Sequence, residues 1–381
     1  MSLIIFTWTR LEIAVASCSL ATLRKGFWRC ALSVPAIAFY LLLPPAKVLA
    51  QEPTKELIEA AKKEGQLTFW STTGEVALQI FAPFLKRYGL KLEVFDGSAN
   101  ALVERVITES QAGTYTPDLL NTSLEWLTFV DEKELLASDF KWPNISKWTF
   151  KQPLLPKVAI IGVEPRPAIF NTEMIPQKEW PRGPIEKALV NPKFEGLSAL
   201  STSSEEFPMV YAYLWGSADK LNWERSFAFF ERLAKVTKPR AVRGYTPSQR
   251  LLAAGDFGLL HFGLFSRAFR DARDGAPVGV GAVEPMTASL VNIVIMKNAP
   301  HPNAARLAAG WLTTTEGQEQ LSKSWGNLAL DPHAQSAPAE YGKKWGVTID
   351  KISFVPVNVL AKKDALKKSE EFYRKLLGVS R

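Results

Sequence analysis

Few side chains in this chain are suited to covalent chemistry. Its 381 residues include three histidines, His261, His301 and His333, and two cysteines, Cys18 and Cys30. His261 stands in "AAGDFGLLHFGLFSRA" (253–268), after a turn and an apolar run and beside Phe262. An imidazole there suits proton transfer, a hydrogen bond to a ligand, or a place in the core bonded to backbone. His301 precedes Pro302 and reads as a helix-entry residue, and His333 reads as a loop residue. The three are too scattered to indicate a metal site. G-x-S-x-G and H-E-x-x-H do not occur. An acid–base role is left to Asp96 and Glu125 at strand ends, positions that also suit helix caps or solvated acids.

Hydroxyl-rich turns are more numerous. Ser71, Thr72 and Thr73 precede Gly74, Ser98 and Asn100 flank Ala99, and Ser123 follows Asn121 and Thr122. Further on, Thr202, Ser203 and Ser204 follow Ser201, and Tyr245 opens "YTPSQR". Each lies where a strand hands over to a helix, so free helix amides and hydroxyls could converge on one oxygen-rich ligand. The competing reading is that these residues simply cap helices. Arg243, just before Tyr245, could add a bidentate bond to a carboxylate or phosphonate, or be a solvated surface arginine.

The elements that must position these turns alternate. "TKELIEAAKKEG" predicts a helix with Thr54 as N-cap and Gly65 as its stop, and "QLTFW" a strand. "EVALQIFAPFLKRYG", "LKLEVF", "ANALVERVITESQAG" and "PDLL" continue the helix–strand pattern, which argues for an α/β sheet with parallel strands. From about 140 to 185 the chain is rich in Trp and Pro and reads as connecting loops. A second alternating unit follows: strand "GLSAL", helix "NWERSFAFFERLAKV", helix "SQRLLAAG", strand "FGLLHFG", buried strand "ASLVNIVIM" and a helix with Pro302 at its first position.

Residues 1–50 differ in kind. Arg24, Lys25 and Arg29 precede an apolar run, Ala31 to Leu43, and "PPAKVLA" ends in small residues, which predicts a signal peptide cleaved after Ala50. A lipoprotein box at "VASC", acylated on Cys18, is the alternative, weakened by Arg10 and Glu12 just upstream. Cleavage would remove both cysteines, and with them thiol catalysis, thiolate metal sites and disulfides. The leader holds five Lys/Arg and one Asp/Glu, so the chain total of 46 against 38 becomes 41 against 37, a net charge of +4 instead of +8. That balance excludes a nucleic-acid partner and is compatible with a small anion.

Four segments, "LIEAAKKEGQLTFWSTTGE", "FDGSANALVERVITESQAG", "IFNTEMIPQKEWPRGPIEKALVNPKFEGLSAL" and "NAPHPNAARLAAGWLTTTEGQEQLS", resemble type II periplasmic solute-binding proteins of ABC importers. The similarity runs from about residue 54 to about 330, in the branch of ferric-iron, thiamine and phosphonate or sugar-phosphate receptors. The resemblance implies a two-lobed, Venus-flytrap α/β fold, each lobe a mixed sheet flanked by helices. Lobe 1 would comprise 51–165 and 285–381, and lobe 2 would comprise 166–284. It further implies a monomeric, non-enzymatic receptor in the periplasm that captures a small-molecule solute without a cofactor and passes it to the transmembrane permease. Ferric-binding members place adjacent tyrosines after a Gly-acidic-aromatic turn. Here Gly255-Asp256-Phe257 is followed by His261 and Phe262, and Phe cannot ligate a metal. The expected ligand is therefore a small organic solute, with the hydroxyl turns, Arg243, Tyr245 and His261 around it. A ferric-iron receptor and a secreted enzyme on a related fold are the alternatives.

Overall fold

The computed structural model describes residues 52–74, 76–148, 150 and 157–379; the predicted leader, with Cys18 and Cys30, lies outside them. Thr54 caps the first helix (Lys55–Glu64) by accepting the Leu57 amide at 3.2 Å, and Gly65 ends it in the left-handed region at φ 72°. Strand β1 (Gln66–Ser71) then pairs in parallel with both β2 (Lys91–Asp96) and β3 (Leu119–Asn121). The helices Val76–Tyr88, Ala99–Gln111 and Leu124–Glu132 connect or follow these strands. Their apolar faces supply buried Phe81, Phe84, Leu102 and Leu127. Phe81 and Phe84 meet Trp311 at 6.1 and 5.5 Å, which pins the Pro302–Leu312 helix to the same core. Each such side chain contributes about 2–3 kcal/mol by burial.

The Trp/Pro-rich passage, expected as loops, holds two strands. β4 (Ala159–Pro165) is buried along its whole length and belongs to the first sheet; β5 (Ala168–Asn171) belongs to a second. Only Arg166 and Pro167 lie between them. The second sheet adds β6 (Ser198–Ser201), β7 (Arg240–Val242), β8 (Leu259–Leu260) and β9 (Val278–Gly281) in the order β7-β6-β8-β5-β9. β10 (Ala288–Ile295) returns to the first sheet, antiparallel between β3 and β4, giving the order β2-β1-β3-β10-β4. Both sheets are mixed: in the second, β5 runs antiparallel to its two neighbours. This is an α/β fold of two mixed sheets flanked by helices, joined by the Arg166–Pro167 link, by the 282–287 segment and by the stretch between the Thr315–Trp325 and Ala337–Trp345 helices.

The strand expected over 257–263 is shorter, and the chain bends after Leu260. Gly263 lies so close to β5 that a Cβ there would come within 2.4 Å of Ile169.

The C-terminal segment departs from its expected place with the first lobe. The Ala337–Trp345 helix packs on the second sheet, with Trp345 edge-on to Phe170 at 5.6 Å and the Tyr341 hydroxyl donating to Val278 O at 3.2 Å. The last helix, Lys363–Leu377, covers the Phe207–Leu214 and Trp223–Thr237 helices of the second unit. Phe372 stacks on Phe227 at 3.8 Å, and the buried Tyr373 hydroxyl donates to Ser201 O at 2.9 Å. Between these helices the chain touches the first lobe again through Phe354 against Phe150 at 4.9 Å, and the last helix does so at its first residue, with Lys363 over the Phe129 ring at 4.2 Å. The physical reason is amphipathicity: the 363–377 helix has an aromatic face, and the helices beside the second sheet offer the matching one.

Candidate functional site

Where the two sheets meet, a cavity of about 130 Å³ is lined from both sides. Ser123 and Glu125 come from the start of the 124–132 helix, Glu206 and Phe207 from the start of the 207–214 helix, and Ser289 from β10. Arg166 stands in the link itself, and Phe354 and Leu360 of the C-terminal segment close one wall.

Arg166 is held rigidly by its surroundings. Pro165 and Pro167 flank it and favour extended backbone there, and its amide donates to Thr287 O at 2.9 Å. Its guanidinium lies over the Tyr245 ring at 4.8 Å and donates through Nε and Nη2 to Ser289 Oγ at 3.1 and 2.9 Å. The third nitrogen, Nη1, is buried and has no partner, as is the Ser123 hydroxyl oxygen. No carboxylate forms an ion pair with Arg166 among the described residues. Desolvation opposes its charge, but the surrounding acids Glu206, Glu164 and Glu125 favour it, and the pKa is raised. A charged, pre-oriented guanidinium with a free N–H suits an anionic oxygen.

Glu206 keeps part of its area exposed, yet burial of its carboxyl raises its pKa to about 7, with Arg166 pulling the other way and Glu125 pushing it up. Tyr245 Oη donates to Glu206 Oε1 at 3.1 Å and lies 3.2 Å from Ser204 Oγ, which donates to it. Burial, ahead of the Glu206 charge, holds this phenol well above the usual range, so Tyr245 stays neutral. Behind the site, Phe262 stacks on Phe207 at 4.3 Å, so the aromatic beside His261 supports the cavity wall from the core.

Glu164, two residues before Arg166, fastens the link. Its buried carboxylate accepts from the Ser266 amide at 3.0 Å, at the start of the Phe265–Arg273 helix, and from Asn327 Nδ2 at 2.8 Å. Desolvation raises its pKa although Arg166 and these donors favour its charge.

Of the residues expected around a ligand, Ser123 lines the cavity, Tyr245 supports Arg166 and Glu206, and Ser204 supports Tyr245. The first turn uses its hydrogen bonds internally: Ser71 and Thr72 both donate to Asn121 Oδ1 at 3.2 Å, and Ser71 Oγ also meets Thr73 at 2.8 Å. Asn121 in turn donates to Asn292 O at 2.7 Å, which locks β1, β3 and β10 together. Ser98 donates to Asn100 Oδ1 at 2.7 Å, both at the surface. Thr202 is half-buried, its amide bonded to Val242 O at 2.8 Å; Ser203 and Arg243 are exposed. None of these lines the cavity.

His261 is fully buried in the second lobe, away from the cavity lining. Its Nε2 lies 3.3 Å from Thr237 Oγ1, whose own proton goes to Leu233 O at 2.9 Å, so the imidazole carries its proton on Nε2 and donates. Nδ1 has no partner, and desolvation drives the pKa down to about 3. It is a neutral core group, bonded to a side-chain hydroxyl rather than to backbone. His301 also has a structural role, its amide and Nδ1 meeting the buried Asp118 at 2.6 and 2.9 Å.

Arg166, Glu206 and Ser289 carry most of the site and were not among the expected ligand residues. The "P-R-P" triplet is the signal that marks Arg166: two prolines immobilise a cation in a segment otherwise read as loop. A larger cavity of about 360 Å³ lies on the outer side of the first lobe, between Tyr88, Phe140 and Trp311. Its arginines are already paired, Arg87 with Glu316 at 2.7 Å and Arg306 with Asp139 at 2.6 Å. Among the described residues, no group of three or more His, Cys, Asp or Glu is placed to hold a metal ion, and no helix is long and apolar enough to cross a membrane.

The fold has clear relatives among solved structures. The periplasmic binding protein AfuA from Actinobacillus pleuropneumoniae, solved with fructose-6-phosphate, aligns with TM-score 0.65 at 17% identity, covering 83% of this chain and 99% of that one. A substrate-binding protein of an ABC transporter from Agrobacterium tumefaciens gives 0.66 at 16% identity, with 82% and 96% covered. Iron-bound HitA from Pseudomonas aeruginosa gives 0.63 at 13%, with 82% and 99% covered. No curated protein matches the sequence. The profile of the family described as bacterial extracellular solute-binding protein matches residues 79–348, most of the described chain. With its two mixed sheets and the cavity between them, the chain belongs to the bacterial extracellular solute-binding protein family.

Proposed function

We propose that this protein is the periplasmic receptor of an ABC importer, which takes a small organic solute into the cavity between its lobes and hands it to the transmembrane permease. The observation that carries this reading is Arg166, charged, stacked on Tyr245 and left with a buried, unpartnered Nη1. A structural arginine would have its fork filled by a carboxylate or carbonyls; this one is anchored on one edge by Ser289 and open on the other. The lobes close over the solute by rotation about the segments that join them, the hinge motion common to periplasmic binding proteins. The chain acts as a monomer, without catalysis and without nucleic acid.

The ligands of the structural neighbours, fructose-6-phosphate in AfuA and iron in HitA, do not transfer at 17% and 13% identity. Ferric iron is further disfavoured because the cavity lining contains no tyrosine and, among the described residues, no group of three or more His, Cys, Asp or Glu is placed to hold a metal ion. Thermal-shift screening of the purified protein against organic acids, sugar phosphates, vitamins and ferric citrate tests the reading. At least one organic solute is expected to raise the melting temperature, and to do so less in Arg166→Gln. A library in which nothing raises it would sink the receptor assignment.

A further inference from the structure

We propose that the solute is an organic monocarboxylate with an apolar body, its carboxylate held by Arg166 and Ser123 and its body lying against Phe207, Val210, Leu290 and Phe354. The inference rests on the receptor reading above and narrows it to a chemical class.

Two observations fix the charged end. The donors left open in the cavity wall are Arg166 Nη1 and the Ser123 hydroxyl, both buried and unpartnered. One donor stands on the link and the other at the start of the 124–132 helix of the first lobe, and the pair suits the two oxygens of a carboxylate. Glu125 and Glu206 line the same cavity and fix the charge from the other side. Arg166 can pair with one negative charge; a phosphate dianion would bring a second charge and a third oxygen, for which no further cation lines the wall.

The rest of the lining fixes the body. Beyond the polar end the cavity is closed by Val210, Leu290, Phe354 and Leu360, with Phe207 backed by Phe262 at 4.3 Å. A sugar would leave its hydroxyls unpaired against such a surface, at a cost that a hydrocarbon or aromatic body does not incur. A ligand with one charged head and an apolar remainder satisfies both ends at once.

The test uses the purified protein, unfolded and refolded to strip bound solutes, and isothermal titration with benzoate, hexanoate and 4-methylpentanoate. Benzamide and hexanamide serve as uncharged isosteres, and fructose-6-phosphate and ferric citrate as competing classes. The carboxylates are expected to bind and the amides to bind at least about tenfold more weakly. Arg166→Gln should cost about 100-fold in carboxylate affinity, Arg166→Lys about tenfold because the fork is lost, and Ser123→Ala about fivefold. An unchanged melting curve for ligand-free Arg166→Gln shows that the loss is not unfolding; if that variant does not fold, the Ser123→Ala titration decides. Binding of the phosphate, the iron or the amides as tightly as the carboxylates overturns the carboxylate class and leaves the receptor reading standing. A panel in which no probe binds overturns both.

Discussion

Tyr245 Oη donates to Glu206 Oε1 at 3.1 Å while the ring of the same tyrosine carries the Arg166 guanidinium at 4.8 Å. One side chain thus sets the position of both the cation and the acid of the cleft. Tyr245→Phe keeps the ring and removes a donor that favours the ionised carboxyl, so the Glu206 pKa rises and solute affinity changes by only about two- to threefold. Tyr245→Ala removes the platform, and affinity is expected to fall by about tenfold or more. Calorimetric titration of the two variants separates platform from hydroxyl; equal losses in both would refute the positioning role of the ring.

The raised pKa of Glu206 makes binding depend on pH. The groups facing it are Arg166 from the link, Glu125 from the first lobe, Tyr245 from its own lobe and Tyr373 from the last helix. Below about 7 this carboxyl is neutral. An anionic solute should bind more tightly there and weaken as the pH rises through that value. The stability of the ligand-free protein follows the same sign: the folded state holds the proton above the ordinary value of 4.5, so this contribution is lost as pH rises from 4.5 towards 7. Glu206→Gln is expected to flatten the binding profile, and affinities measured on both sides of neutrality check it.

His261 behaves in the opposite way. Its folded pKa of about 3 lies below the ordinary 6.5, so the unfolded chain takes up a proton that the folded one refuses. Its contribution to stability is complete above 6.5 and is lost as pH falls from there towards 3, by roughly 3 kcal/mol at pH 4. His261→Leu removes the titrating ring, and that part of the acid sensitivity should disappear. His261→Ala leaves a core void and is expected to cost about 2–4 kcal/mol while solute affinity changes less than about twofold. Denaturant melts across the acid range, with one titration of the Ala variant, decide between this role and a ligand role.

The last helix is expected to be a structural part of the second lobe. Tyr373→Phe loses the 2.9 Å bond to Ser201 O and leaves that carbonyl without this donor, at a cost of about 1–2 kcal/mol. Removing residues 363–381 exposes Phe227, whose ring now lies 3.8 Å from Phe372. Such a truncated chain should melt well below the intact one, or bind a dye for exposed apolar surface. A truncated chain with the intact protein's melting curve would show that the helix is dispensable.

Much of the scaffold could be read from local signals. Thr54 and Gly65 bracket a helix by chemistry that acts within four residues, and the alternation from Gln66 to Asn121 follows from apolar periodicity. β4 and β5 were not legible because Gly162, Pro165 and Pro167 break up their short apolar runs, and only pairing with β10, β8 and β9 makes them strands. The hydroxyl turns were found at the right junctions, but their roles depend on long-range partners. Ser71 and Thr72 are engaged by Asn121, about fifty residues away, whereas Ser123 is left open. Arg166 meets Tyr245 and Ser289 only once both sheets have formed. The C-terminal segment past 330 carries its information in an aromatic face whose counterpart, Phe227, lies far back in the chain.

The two-residue link between β4 and β5 has a mechanical consequence. A group on the axis of a rotation is displaced least by it, and Arg166 sits in that link, whereas Phe354 and Leu360 lie on a segment that touches both lobes. Under the receptor reading proposed above, the contact of Arg166 with a charged group would persist through lobe closure, while the wall formed by Phe354 and Leu360 would be completed by it. Arrival of the charged group at the pivot and enclosure of the rest of the ligand would then be separable steps.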